Sequence, residues 1–216
     1  MSITAEEVKK DASSTRVVIE PPKIGVASIR IVGIAPYVQH KFSKKAREQM
    51  MAKQRQGDQA KKERKREAKD FEQVYKDAMH VSREGWIGIP APSFRNAMIS
   101  ACRLVGFKMT HAKLSVFIEA DGFDVDDGTP LVRIIGEPRV HESYVRNDTG
   151  VADIRWRPMW EKWSAVVRIR FDLNQFSAPD IVNLLARAGL QVGIGEGRPD
   201  SKNSAGMGWG IFEIEA

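Results

Sequence analysis

Two hydrophobic periods share this chain of 216 residues. Val26-Ala-Ser-Ile-Arg-Ile-Val-Gly-Ile34 sets β-branched residues against small or polar alternates, the period-two signature of a half-buried strand. Gly33 and Pro36 end it and lead into Tyr37-Val38-Gln39-His40-Lys41-Phe42. Residues 85–90 form a short extended run, after which Pro90, Pro92 and Ser93 open an amphipathic helix. Phe94, Ala97, Met98, Ala101, Leu104 and Val105 share one face of that helix, Arg95, Asn96 and Arg103 lie off it, and Gly106 ends it. Residues 114–119 and 131–135 read as strands joined through an acidic exposed turn, and 165–171 as a further strand. Ser177-Ala-Pro-Asp180 is a capping box with proline in the first turn of a helix. Ile181, Leu184, Leu185 and Ala188 are the buried face of that helix, Gly189 is its expected C-cap, and residues 209–214 close the chain as a strand.

The resulting order is strand, helix, strand, strand, helix, strand. It predicts an α+β fold with a ferredoxin-like (split βαβ, RRM-like) core built on an antiparallel sheet, the alternative being a less regular α+β fold whose extra strands form a second small sheet. Residues 1–15 are polar, 1–22 are expected to be a flexible N-terminal segment, and 23–216 to form one domain. Two insertions interrupt it: a long basic helical one at about 43–80, and an irregular one at about 139–163. Ser43 can cap the first, whose opening half is nearly all Lys, Arg, Gln, Glu and Ala and has little to bury. Phe71, Val74, Tyr75 and Ala78 restore an apolar face at its end.

Charge changes this picture. The net charge is +6, yet between Lys41 and Lys69 there are twelve Lys or Arg against four Asp or Glu, a surplus of +8 that leaves about −2 for the rest. Basicity confined to one block is the footprint of phosphate-backbone binding. Lys41, Lys44, Lys45, Arg47, Arg55, Lys61, Lys62 and Arg64 are its candidate contacts. Cys102 stands alone in an apolar helical pattern, so neither a disulfide framework nor a thiolate metal site is available. There is no signal-peptide pattern and no run of about eighteen apolar residues. A cytoplasmic protein without membrane contact is expected.

The glycine stretch from Gly189 to Gly210 holds seven of the seventeen glycines, with Arg198 and Lys202 inside it. It is not a dinucleotide fingerprint, which follows a strand and opens a helix, nor a Walker A loop, which needs Gly-Lys-Ser/Thr. Gly193-Ile194-Gly195 and Gly206-Met207-Gly208 frame a longer spacer before the last strand. With the helix entry Ile89-Pro-Ala-Pro-Ser-Phe-Arg95, this resembles the repeat-associated mysterious protein (RAMP) superfamily of CRISPR systems. The similarity covers about two-thirds of the chain. The basic insertion, and a helix entry without a Gly-Ser-Leu-Arg-Gly wording, depart from the family. The resemblance implies a ferredoxin-like core, RNA binding through the glycine loop, and a diverged relative carried on a phage or other mobile element. In RNA-processing members a histidine near the first strand acts as general acid and base. His40 stands there, with Tyr37 and Lys41 as neighbours.

The expected function is therefore binding of RNA or single-stranded DNA along its backbone, with self-association or a multi-subunit complex along the strand. Gly193, Gly195, Gly197, Arg198 and Lys202 would serve it from the loop, Arg95 from the helix. Arg155 and Arg157 would serve it among the tryptophans Trp156, Trp160 and Trp163, at least two of which are expected in the core. A binding protein is expected rather than an enzyme. The enzymatic alternative is a metal-independent endoribonuclease using His40, and the structural one is a phage-type assembly protein. His80, His111 and His141 lack metal-ligand spacing, and Gly128 falls at the wrong place for a calcium loop. No metal or cofactor is expected.

Overall fold

The computed structural model describes residues 19–42, 44–56, 69–146, 152–201 and 206–215. In chain order the elements are β1 (Ile24–Gly33), β2 (Tyr37–Val38), α1 (Lys44–Gln56), α2 (Phe71–Asp77), β3 (Gly88–Pro90) and α3 (Ala91–Ala101). Then come α4 (Met109–Ser115), β4 (Val116–Glu119), β5 (Gly122–Phe123), β6 (Pro130–Ile135), β7 (Arg139–Arg146) and β8 (Ala152–Trp160). The chain closes with β9 (Ser164–Asp172), α5 (Ala178–Arg187) and β10 (Phe212–Ile214). The fold is α+β.

Its main sheet has the order β10-β1-β9-β6-β3, with β4 also paired to β9 and β5 to β6. Its pairings are antiparallel. β4 takes the end of β9 around residues 168–171, and β6 takes residues 164–165. Alternation explains the layers. Ala165, Val167, Ile169 and Phe171 of β9, with Ile29 and Ile31 of β1, point inward, while Val166, Arg170, Ser28 and Arg30 face out. α3 and α5 cover the inward face with Phe94, Ala97, Met98, Ile181, Leu184 and Leu185. Each large aliphatic or aromatic side chain fully buried there contributes about 1.5–3 kcal/mol.

A second sheet, β2-β8-β7, stands beside the first. Its β7–β8 hairpin replaces the irregular chain expected at 139–163. Contacts distant in sequence hold it: α2 sets Phe71 against Trp156, with ring centroids 5.5 Å apart, while Trp209 meets His141 at 5.2 Å. Trp160 and Trp163 are core residues and stack around Tyr37. Trp156 is half-buried and donates to Glu142.

The helical insertion is described in two parts. α1 has 13 residues, exposes both methionines and has no acidic residue in its first turn. α2 has 7 and is capped by Asp70, which accepts from the Gln73 amide at 3.0 Å. The long basic helical insertion expected at about 43–80 is thus described only at these two helices, because Ser43 and residues 57–68 lie outside the described residues.

Other boundaries shift for local reasons. Leu114 belongs to α4 and is exposed, so the strand begins only at Val116. Leu104 and Val105 sit on a tight turn after α3, where the register of the helix changes, and are about half exposed. The last strand begins at Phe212 rather than Trp209. Gly189 is not the end of α5. The chain continues through one wider turn, Ala188–Val192, and leaves the helix at Gly193 with φ +72°. Gly189 serves close packing instead: a Cβ there would lie 2.2 Å from the Phe212 carbonyl oxygen.

Candidate functional site

The glycine stretch is a folded loop laced to its surroundings. Ile194 donates to Gly210 at 3.0 Å, Gly210 to Pro36 at 2.7 Å, and Glu196 to Val38 at 2.9 Å. Met207 and Trp209 both donate to the Gly197 carbonyl, at 2.7 and 3.2 Å. Gly210 shows why glycine is required: its φ is +67°, and a Cβ would press on the Ile194 carbonyl at 1.8 Å. Buried backbone groups must be paired. These five amides are therefore spent on the fold.

What faces the loop is α3. Between the loop and this helix lies a groove of about 250 Å³. Ser93, Asn96 and Ser100 line its helix side, while Arg198 and Asp200 line the loop side. Ala97, Val192 and Ile194 form an apolar floor. The proline entry of α3 fixes the first wall, because Pro92 lies in the first turn and buried Phe94, Ala97 and Met98 turn the polar positions outward. Arg198 donates one guanidinium N–H to the Gly195 carbonyl at 3.0 Å, which holds the side chain across the loop. Asp200 accepts from the Ser100 hydroxyl and, at 2.7 Å, from Arg103. The Ser100 bond chiefly lowers its pKa, against some burial, and Arg103 adds to the effect. The carboxylate is therefore firmly ionised.

The hairpin supplies a second wall on the other side of the loop. Arg157 donates to Glu196 at 3.0 Å, and the His40 Nδ1 lies 4.0 Å from the same carboxylate oxygen. Arg155 pairs with Asp153 at 3.2 Å. Burial first, then the neighbouring Arg157 charge, depresses the His40 pKa, so its half-exposed imidazole is neutral at neutral pH. Thus Gly193, Gly195, Gly197, Arg198, Arg155, Arg157 and His40 gather in one region, although they are spread along the sequence.

Other candidates have different work. Tyr37 is buried, its hydroxyl accepts from Gln39 at 3.1 Å, and burial pushes its pKa far up, so it cannot exchange protons with solvent. Lys41 is buried too, donating to Asp124 at 2.8 Å and Asp126 at 2.6 Å. His80 reaches the other oxygen of Asp124 at 2.8 Å. The acidic turn is exposed at Phe123, Val125, Asp126 and Asp127, as expected, but Asp124 within it is fully buried and serves as an anchor. Arg47 faces Asp127 at 3.5 Å. Arg95 donates to the carbonyls of Val116 and Lys113 and lies over the Phe117 ring, so it ties α3 to β4. Lys44 and Arg55 are exposed on α1. The side chain of Lys45 is not described, and Lys61, Lys62, Arg64 and Lys202 lie outside the described residues.

Sequence reasoning missed Glu196, Asp200, Ser93 and Ser100 as parts of the site. The available signal was their position: polar residues off the buried face of α3, and the acids of the glycine stretch. Among the described residues, no group of three or more His, Cys, Asp or Glu could hold a metal ion. Among the same residues, no helix is long and apolar enough to cross a membrane. No protein-family model matches the chain, and no curated protein matches it either.

Proposed function

We infer that the protein binds RNA or single-stranded DNA along the phosphate backbone, as the resemblance to RAMP proteins suggests. The observation that carries this reading is the groove between α3 and the glycine loop, where Arg198 is held across one wall. Arginine presents planar paired donors that match phosphate oxygens, and one donor to Gly195 leaves others for a ligand. Lys44 and Arg55 on α1 add exposed positive charge. The core reads as ferredoxin-like: β10-β1-β9-β4 gives the spatial order of a split βαβ unit with α3 and α5 on one face.

Fluorescence anisotropy with labelled single strands over a salt series tests the reading. Affinity is expected to fall steeply as salt rises, because each neutralised phosphate releases counterions. Arg198→Ala should weaken binding roughly uniformly across sequences and flatten the salt slope by about one unit. Failure to bind any strand at low salt refutes the reading.

A second reading rests on His40, which is half-exposed, neutral and beside the Glu196 carboxylate. It makes the protein a metal-independent endoribonuclease. Cleavage that persists in EDTA and disappears in His40→Ala supports it, and unchanged cleavage in that variant removes it. Tyr37 takes no part in either outcome, because it is buried.

A further inference from the structure

The groove contains a feature that phosphate binding does not explain. Asp200 places a carboxylate near Arg198, an acceptor that phosphate binding alone does not require. Its two neighbours, Ser100 and Arg103, both bond to Oδ2. Oδ1 therefore remains to accept from a ligand, since a carboxylate has about four lone-pair sites. The pair also keeps the carboxylate ionised, and hence an acceptor only. Across from it, Asn96 is exposed on α3 and offers an amide that both donates and accepts. The floor of Ala97, Val192 and Ile194 is apolar. At about 250 Å³ the groove is smaller than the ~300–1,000 Å³ usual for whole cofactors or drug-sized ligands. It is large enough for a flat heterocycle.

Resting on the nucleic-acid reading above, we propose that this groove is a base-specific subsite for guanine. The guanine N1–H and N2–H converge on the Asp200 Oδ1, Asn96 donates to O6, and the adjoining phosphate meets Arg198. Unstacked bases of single strands are read in this way, by hydrogen bonds to their Watson–Crick edges. The discrimination follows from donors and acceptors. Guanine is the standard base with two adjacent donors on that edge. Adenine and cytosine present one donor beside a ring-nitrogen lone pair, and uracil one donor between two carbonyls, so each turns an acceptor toward the carboxylate.

The test is anisotropy at one salt concentration with short uridine-rich strands carrying guanosine, inosine, adenosine or cytidine at matched positions. The guanosine strand is expected to bind at least about fivefold more tightly than the adenosine strand, with inosine, which lacks the N2 amino group, between them. Asp200→Asn should abolish the preference for guanosine over adenosine. Asn96→Ala, at an exposed helical position that leaves the Asp200 contacts in place, should weaken the same preference. Equal binding of all strands, or a preference that survives Asp200→Asn, overturns the guanine assignment alone. Binding of no strand overturns the nucleic-acid reading and this assignment with it.

Discussion

Lys41 and Lys44 are three residues apart in a run of like charges, yet they face opposite fates. Lys41 is buried between Asp124 and Asp126, and Lys44 is exposed. Breaking a buried ion pair by removing one partner leaves the other charge without compensation. Lys41→Met should therefore destabilise the protein by about 3–5 kcal/mol in urea unfolding. Lys44→Ala should change stability by less than about 0.5 kcal/mol. The same network sets a pH dependence. Burial raises the Asp124 pKa, but the Lys41 bond and further hydrogen bonds outweigh it, so the folded value lies below the ordinary 3.8. Its stabilisation is complete above that value and lost as pH falls through the lower folded value. His80 is depressed below 6.5 by burial, which the Asp124 contact only partly offsets. Its unfolded form takes up a proton first, so stability should begin to fall as pH drops below 6.5. Lys41 is shifted the other way: burial lowers its pKa, but the bonds to Asp124 and Asp126 raise it above 10.5 overall. Its contribution is full below 10.5 and lost as pH rises through the higher folded value. Thermal unfolding across pH should show decline at both ends and a broad maximum between.

At the scale of elements, legibility tracked how local the determining interactions are. α5 was readable to its first residue, because the Ser177 and Asp180 capping bonds and a stripe of apolar residues all lie within a few positions. Ser177→Ala should lower stability by about 1 kcal/mol in a denaturant titration. Its far end was misread, since Gly189 suggests a cap while the fold uses it to admit the Phe212 carbonyl. Gly189→Ala should cost about 1–3 kcal/mol through overpacking, measured in the same titration. The β7–β8 hairpin was not readable as strands. Trp156, Arg155 and Arg157 are chosen for partners on α2, on β8 itself and on the glycine loop, and those partners are distant in sequence or without periodic pattern.

For the molecule as a whole, the cations expected to contact a nucleic acid divide into different roles. Lys41 and Arg157 are internal, and Arg95 is used as a brace between α3 and β4. Exposed cations remain on α1 and at the groove. A basic composition is a statement about the average field, whereas recognition needs particular charges left facing solvent. Local sequence suffices for the alternation of β1 and β9, the apolar faces of α3 and α5, the capping box that opens α5, and the place of the glycine loop before the last strand. Those features follow from backbone period and capping chemistry, which act over a few residues. Only the tertiary structure decided which charges are anchors and which line the groove. Lys41 meets Asp124 across 83 residues, and Ser100 meets Asp200 across 100. Such partners are selected by closure of the whole chain around its core, and no local pattern encodes which of several lysines will be desolvated. The glycine stretch shows both halves. Its composition marked it as a place of close approach, and its folding onto α3 determined what approaches.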